Sequence, residues 1–451
     1  MIALVGFVAV ILTVLGLVHV YLWWRAVRST TRPHSQAARI GKWLIVAAFL
    51  LTAAALLSAL AASPDLARPV VWVGFSWLGF AFYFFLFLLV GELIRLGARL
   101  LDRREASVQT SASTPPLVAT TVAAAPGTAT PKTEGLRSEN GPIRMSEADH
   151  TSGPNASQPP TGDAADMRVV TRRLFLSRSI AVGAGLAAAG VAGYGMSRAL
   201  GDPSVRRISV QIAGLDSRFA GFRIAMFSDA HLGAIRRKAT METLVDTVNS
   251  TEPDLVAVLG DLIDGSVADL GDDVAPLAGL QSSYGSFFVT GNHEYYAGVE
   301  EWTNYLPDLG VRVLENERLE IERDGAVFDL AGVNDLTGVD YRAQGGGPDF
   351  ARALDGRQAD RPVVLLAHQP VTVEQSVEYG VDLQLSGHTH GGQLWPFHYV
   401  IAAQQGAVSG LSRIEDTQLY VTAGAGFWGP PMRVGADPEI VVIELQPARI
   451  D

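Results

Sequence analysis

The sequence predicts two architectures in one chain, an all-α transmembrane region followed by a layered α/β domain. Three observations carry this. The 451 residues are 48% hydrophobic and only 18% charged, with a mean hydropathy of +0.21, which is more apolar than a globular chain needs. Long uninterrupted apolar runs are confined to residues 1–200. Beyond them, short β-rich runs alternate with helical patterns, as in layered α/β domains.

Within residues 1–104 the runs 2–22, 44–62 and 70–90 each reach the roughly 20 residues needed to cross a bilayer. Trp23 and Trp24 close the first, and Trp72 stands near the start of the third, where interfacial anchors belong. The connection after the first run holds Arg25, Arg28, Arg32, Arg39 and Lys42. The second is followed only by Asp65 and Arg68, and the third by Arg95, Arg99, Arg103 and Arg104. Positive flanks stay in the cytoplasm, so the first and third of these are inside and the N-terminus is outside.

Residues 105–170 read as a disordered linker rich in Ala, Thr, Pro, Ser and Gly, for example Ser113-Thr114-Pro115-Pro116 and Ala124-Ala125-Pro126-Gly127. Such a composition buries too little apolar surface to offset its ordering entropy. Residues 171–200 open with Thr171-Arg172-Arg173-Leu174-Phe175-Leu176-Ser177-Arg178 and continue into the Gly/Ala-rich run 180–194. The stretch resembles a twin-arginine export signal, with Ser177 where Lys is usual and Arg178 one place later. The other reading is a plain fourth transmembrane helix with a basic cytoplasmic flank. Both place residues 201–451 outside the cytoplasm, in agreement with the earlier loops. Without a small-residue cleavage site before Gly201, the segment is expected to stay as an anchor.

Charge separates the two halves. Residues 1–200 carry 18 Lys+Arg against 10 Asp+Glu, a net +8, and residues 201–451 carry 17 against 36, a net −19. The acidic half lacks the basic footprint that phosphate backbones require, so nucleic acid is excluded as a partner. With no cysteine in the chain, disulfides and thiolate sites are excluded too, and a metal has only His, Asp, Glu, Asn and backbone oxygen to bind.

The informative feature of residues 201–451 is the set of polar residues at the end of each strand candidate. Run 222–227 leads into Ser228-Asp229-Ala230-His231, and 255–259 into Gly260-Asp261. Run 287–290 leads into Gly291-Asn292-His293-Glu294, and 363–367 into His368-Gln369-Pro370. Run 381–385 leads into Ser386-Gly387-His388-Thr389-His390-Gly391-Gly392. Helical spacing of Met241, Leu244, Val245 and Val248 fills one connection, and residues 371–379 begin another after Pro370. Taken singly, an Asp-x-His or a Gly-Asp is more often a turn than a site. Five successive strand ends bearing imidazoles, carboxylates and an amide converge on one crevice in an open α/β sheet and read as a metal site.

As an ordered set, Asp229-x-His231, Gly260-Asp261, Gly291-Asn292-His293-Glu294, His368 and Gly387-His388-Thr389-His390 resembles the calcineurin-like metallophosphoesterase superfamily. The Gly-His-Thr-His-Gly-Gly-Gln form and the tail Gly424-Ala425-Gly426, Arg433 and Pro438-Glu439-Ile440 are similar to its membrane-associated bacterial branch. The resemblance covers about residues 205–447 and implies a four-layer α/β/β/α sandwich. It implies a metal-dependent phosphoric ester hydrolase with two divalent ions, of Mn, Fe, Zn or Co, roughly 3.5 to 4 Å apart, and attack by a metal-activated water. It makes Asp261 the bridge, with Asp229, His231 and His390 completing one metal and Asn292, His368 and His388 the other. His293 is then the catalytic group that gives a proton or hydrogen bond to the leaving oxygen. Position 294 is Glu where the family more often carries Asp, and either carboxylate could orient His293.

Substrate choice is weakly encoded. Arg433 could hold a phosphate or pair with a surface carboxylate. Phe427-Trp428-Gly429-Pro430-Pro431 could meet a lipid or a nucleobase, or form ordinary core and turn. Membrane tethering favours a lipid-linked or envelope phosphoester, and the signal-like stretch would make the twin-arginine export machinery a partner. A catalytically inactive metal-binding scaffold or sensor is the competing class; retention of every expected ligand and of His293 speaks against it. A transport role for the first three helices is disfavoured because they carry almost no buried charge or polar residue of the kind that marks a substrate path.

Overall fold

The structure, a computed structural model, describes residues 2–112, 163–341 and 345–448. Most of the stretch read as linker, residues 113–162, lies outside these. Among the described residues, four helices are long and apolar enough to cross a membrane: α1 (Ile2–Leu22), α2 (Gln36–Ala61), α3 (Pro64–Ala112) and α4 (Asp163–Ala199). The first continues through a π-helical turn, Trp23–Arg28. Ser35 starts the second by accepting a hydrogen bond from the Ala38 N–H at 3.2 Å, satisfying one of the free donors at a helix start. Both α3 and α4 outrun their apolar cores, so residues 105–112 and 163–170 are helical at the edges of the expected linker. An anchored span is a ready nucleus, and each further residue propagates cheaply from it. The helix α4 passes without a break through the twin-arginine-like stretch.

The described residues of 90–177 belong to a unit of their own, in which Arg95 pairs with Glu92 at 2.5 Å. Residues 1–89 and 178–451 form the other. In it a polar pair joins α1 to α3: Trp77 Nε1–H donates to His19 Nε2 at 3.0 Å, and His19 Nδ1 lies 2.7 Å from the Leu15 carbonyl.

Only residues 200–203 separate α4 from the α/β domain, which begins with β1 (Ser204–Ile212) and β2 (Phe222–Phe227). Then come α5 (Lys238–Ser250), β3 (Leu255–Val258), α6 (Val267–Val274), β4 (Ser286–Phe288), α7 (Asn292–Ala297) and α8 (Val299–Tyr305). The middle of the domain holds β5 (Val311–Val313), β6 (Glu317–Arg323), β7 (Ala326–Gly332), α9 (Gly338–Tyr341), α10 (Phe350–Leu354) and β8 (Val363–Leu366). It ends with α11 (Val373–Glu378), β9 (Leu383–Ser386), α12 (His398–Gln405), β10 (Gly410–Ile414), β11 (Thr417–Val421) and β12 (Glu439–Pro447).

Two six-stranded sheets result, in the orders β1-β12-β2-β3-β4-β5 and β10-β11-β9-β8-β7-β6. Alternation along each strand builds the layers. Ile224, Met226, Val441 and Ile443 of the first sheet meet Phe328, Leu330, Val364 and Leu383 of the second in the central core. The opposite face of the first sheet, with Ala225, Phe227, Val256 and Val258, packs on Leu244 and Val248 of α5, Leu270 of α6 and Trp302 of α8. The opposite face of the second, with Ala331, Val363 and Leu365, packs on Phe350 and Leu354 of α10. This is the four-layer α/β/β/α sandwich expected. Strands buried on both faces have to be apolar throughout, which is why 255–258 and 363–366 read as continuous runs.

The pairs β2–β3–β4 and β7–β8–β9 are parallel, so the loops that follow them leave the same edge of their sheets. That edge carries the site. The domain also packs directly on these long apolar helices. Leu394 and Met432 share one apolar cluster with Ala81, Tyr83 and Phe84 of α3 and Ala192 of α4. Around it, the Arg433 N–H donates to the Gly195 carbonyl at 2.9 Å, and Arg237 pairs with Asp65 at 2.6 Å.

Candidate metal centre

The loops after β2 and β3 run side by side. Their backbones stay paired beyond the strands, Asp229 N–H to Gly260 O and His231 N–H to Asp261 O, each at 3.1 Å. This fixes the two carboxylates and the first imidazole in one register. The loop after β9 joins them through its backbone, with the His388 N–H donating to Asp229 Oδ2 at 3.0 Å. A side chain at Gly387 would press on Asp229 Oδ2 at 2.6 Å, so only glycine allows this approach. Asp229, His231, Asp261, His388 and His390 all have positive φ, between 46° and 69°. Non-glycine residues avoid this region at a cost of about 1 kcal/mol or more each, and such strain collects at functional sites.

Two groups of donors result. In the first, His231 Nε2 and His390 Nε2 face each other at 3.1 Å, with Asp229 Oδ1 3.4 Å from the latter. In the second, His388 Nδ1 lies 2.9 Å from Asn292 Oδ1 and 3.3 Å from His368 Nε2. Asp261 stands between them, its Oδ2 3.8 Å from His231 Nε2 and 3.3 Å from His368 Nε2. All seven residues singled out from the sequence are therefore gathered in one place. Three overlapping sets of His and Asp atoms, Asp229/His231/His390, His231/Asp261/His293 and Asp261/His368/His388, converge closely enough to hold a metal ion.

The donor set fits a cation. Asp229 is fully buried, and its Oδ1 has no hydrogen-bond partner, a costly state that a metal would relieve. The ring orientations agree. His368 Nδ1 lies 2.6 Å from the Leu259 carbonyl and His231 Nδ1 lies 2.9 Å from Asp264 Oδ1. Each Nδ1–H is thereby committed to an acceptor, and each Nε2 lone pair is left for the centre. Burial pushes the His388 pKa down to about 3. Burial and the Arg433 guanidinium lower His390 as well. Both rings of the His-x-His pair are thus neutral at physiological pH, the state in which imidazole binds metal.

His293 sits beside the centre, its N–H donating to Asp261 Oδ1 at 2.8 Å and its Nδ1 2.6 Å from Asp264 Oδ1. Burial alone would lower its pKa; the Asp261 and Asp264 carboxylates outweigh that and push it up to about 9. Three aromatic side chains rim this histidine. Tyr296 lies 5.3 Å from its ring and Trp428 5.8 Å, and Tyr341 lies tilted behind Tyr296 at 5.7 Å. Phe427 is core, but the neighbouring Trp428 is half exposed at the mouth.

Three sequence readings change. Glu294 does not orient His293: its carboxylate accepts the N–H groups of Asp261 at 3.0 Å, Leu262 at 2.8 Å and Gly291 at 2.7 Å. It is the third helical residue after Gly291, caps that residue's N–H from within the first turn, and so ties the β3 and β4 loops together. The orienting carboxylate is Asp264, which sequence reasoning missed. It serves both His231 and His293, and its only signal is the second Asp of Gly260-Asp261-Leu262-Ile263-Asp264. Arg433 does not face a substrate. It is fully buried, donating to the carbonyls of His390 at 2.6 Å, Gly424 at 3.3 Å and Gly426 at 2.8 Å, with Nη2 3.2 Å from His390 Nδ1. It positions the loop that carries His390. Arg433→Met is accordingly expected to leave these carbonyls unpaired and cost about 3 kcal/mol of stability, read as a lower melting temperature of the purified chain.

Comparison with known proteins agrees with the geometry. Residues 222–392 match the family profile described as calcineurin-like phosphoesterase. An uncharacterized metallophosphoesterase of Campylobacter jejuni is 39% identical over 253 residues, which cover 56% of this chain and 65% of that one. A transmembrane protein with metallophosphoesterase domain from Danio rerio is 37% identical over 262 residues, 56% of this chain and 60% of the relative. An uncharacterized metallophosphoesterase of Helicobacter pylori is 36% identical over 283 residues, 61% of this chain and 73% of the relative. The chain thus spans under two thirds of the first two relatives.

Proposed function

The chain belongs to the calcineurin-like phosphoesterase family, and on that premise we propose that it is a membrane-anchored hydrolase acting on a phosphoester at a dinuclear metal centre. The observation that supports this most is Asp261, whose Oδ2 faces His231 at 3.8 Å on one side and His368 at 3.3 Å on the other. A carboxylate so placed serves two ions at once. Asp229, His231 and His390 would hold one with Asp261; Asn292, His368 and His388 would hold the other. Two such ions supply charge neutralisation for the phosphate and lower the pKa of the attacking water. The all-nitrogen and oxygen set suits Mn, Fe, Zn or Co.

The remaining work falls to His293. Asp264 fixes its ring, and the two carboxylates keep it protonated at neutral pH, so it is ready to give a proton or hydrogen bond to the departing oxygen. The aromatic rim of Tyr296, Tyr341 and Trp428 would take the group esterified to the phosphate. Four apolar helices and the domain's seating on α3 and α4 favour a lipid-linked or envelope-derived ester. The Arg and Lys flanks support an extracytoplasmic position for the domain of a multi-pass protein. The Thr171–Arg178 stretch supports delivery by twin-arginine export machinery, with α4 retained as the anchor.

The test uses the full chain in lipid nanodiscs. Bound metal is measured by mass spectrometry, and hydrolysis is assayed on a nitrophenyl monoester, a nitrophenyl diester and a phospholipid phosphomonoester. Turnover of at least one with bound metal is expected. A metal-loaded chain inert toward all three would favour the inactive scaffold or sensor.

A further inference from the structure

Residues 391–412 carry no Asp, Glu, Lys or Arg, although the domain around them is strongly acidic. The segment leaves the candidate centre at His390 and forms a turn and the helix α12. It points apolar side chains outward: Trp395, Phe397, Tyr399 and Val400 are 44–67% exposed, against 59–66% for Val20 and Leu17 on the first span. A water-facing helix of an acidic domain does not look like this; a lipid-facing one does.

Its position says the same. Phe397 stacks on Phe82 of α3 with ring centroids 5.1 Å apart, and Tyr83 Oη–H donates to the Trp395 carbonyl at 3.1 Å. At about 1.5 Å per residue, Phe82 lies about 18 Å along α3 from Val70, well inside the apolar run 70–90. A segment packed at that depth on a membrane span shares the span's surroundings. The loop at residues 428–432 connects this contact to the site. Trp428 stands beside His293 and exchanges hydrogen bonds with Gln393 at 2.9 and 3.0 Å. Four residues on, Met432 packs so closely on Gly79 of α3 that a methyl there would collide with it.

We propose that residues 394–404 lie against the lipid of the bilayer beside α3, as a lipid-contacting platform next to the metal cleft. The inference rests on reading the four helices as membrane spans and on no reaction. It makes the bilayer part of the site's wall.

The chain contains no cysteine, so single spin labels can be placed without altering the background. Val400→Cys, Tyr399→Cys and Ala403→Cys are labelled in the full chain in phosphatidylcholine/phosphatidylglycerol vesicles. Glu322→Cys on the exposed strand β6 is the aqueous control. At 399, 400 and 403 the label is expected to collide with oxygen several-fold more than with a nickel chelate, and the order is expected to reverse at 322. Nickel access at 400 equal to that at 322 would overturn the platform, and so would dipolar broadening between labels, which would assign the strip to a second copy of the chain. Three positions guard against one that fails to fold. The readout needs no turnover, so an inert enzyme and a dry platform are separate results.

Discussion

Asp261→Asn is expected to lower phosphoester turnover by on the order of 10³-fold or more, equivalent to about 4 kcal/mol of transition-state stabilisation. Asn is nearly the same size, and its amide oxygen can still accept the His293 N–H that Oδ1 accepts at 2.8 Å. The loop is therefore held and the chain still folds. What is lost is negative charge at Oδ2, the atom lying between His231 and His368. If Asp261 serves both donor groups, an amide would weaken both together, and bound metal would fall along with rate. Metal analysis and single-turnover assays on the same preparation check this. A mutant that keeps parent activity would remove Asp261 from the bridging position. One that loses only half its metal would show that it serves a single ion.

How much of this could be read without coordinates depended on distance along the chain. The strand ends were legible because ligand and strand are neighbours: a buried strand must be apolar, and a polar group directly after it stands at the sheet edge. Asp229, Asp261, His368 and His388 all obey that rule. The three misjudged residues are those whose partners lie elsewhere in the chain. Glu294 satisfies backbone groups on the loop after β3, and Asp264 reaches across to two histidines on different loops. Arg433 looked like a surface cation, yet it is enclosed by carbonyls of its own turn and of the His390 loop. Nothing in local periodicity reports which of several carboxylates an imidazole will choose. The seating of the domain on α3 and α4 was hidden for the same reason. Gly79, Phe82 and Tyr83 read as generic span residues, and the uncharged strip 391–412 gains its meaning only from lying beside them.

Asp264→Asn is expected to cost about 10² to 10³-fold in turnover while leaving Asp261 in place. Its single oxygen Oδ1 holds His231 at 2.9 Å and His293 at 2.6 Å, so two effects separate in one variant. Through His231, which lies in the first donor group, the loss of a carboxylate partner weakens metal affinity about 10 to 100-fold, and that part is recovered by raising the metal concentration. Through His293 the loss is electrostatic and is not recovered. The His293 pKa is raised because Asp261 and Asp264 together overcome burial. Removing one carboxylate must lower it, and the fraction protonated at a given alkaline pH falls. A proton donor works only below its pKa, so the alkaline limb of the turnover profile should move to lower pH in Asp264→Asn, and saturating metal should not move it back. His293→Asn should erase that limb. If the Asp264→Asn limb stays where the parent's is at saturating metal, His293 is not the group that titrates. The pairing with Asp264 would then serve only to orient His231.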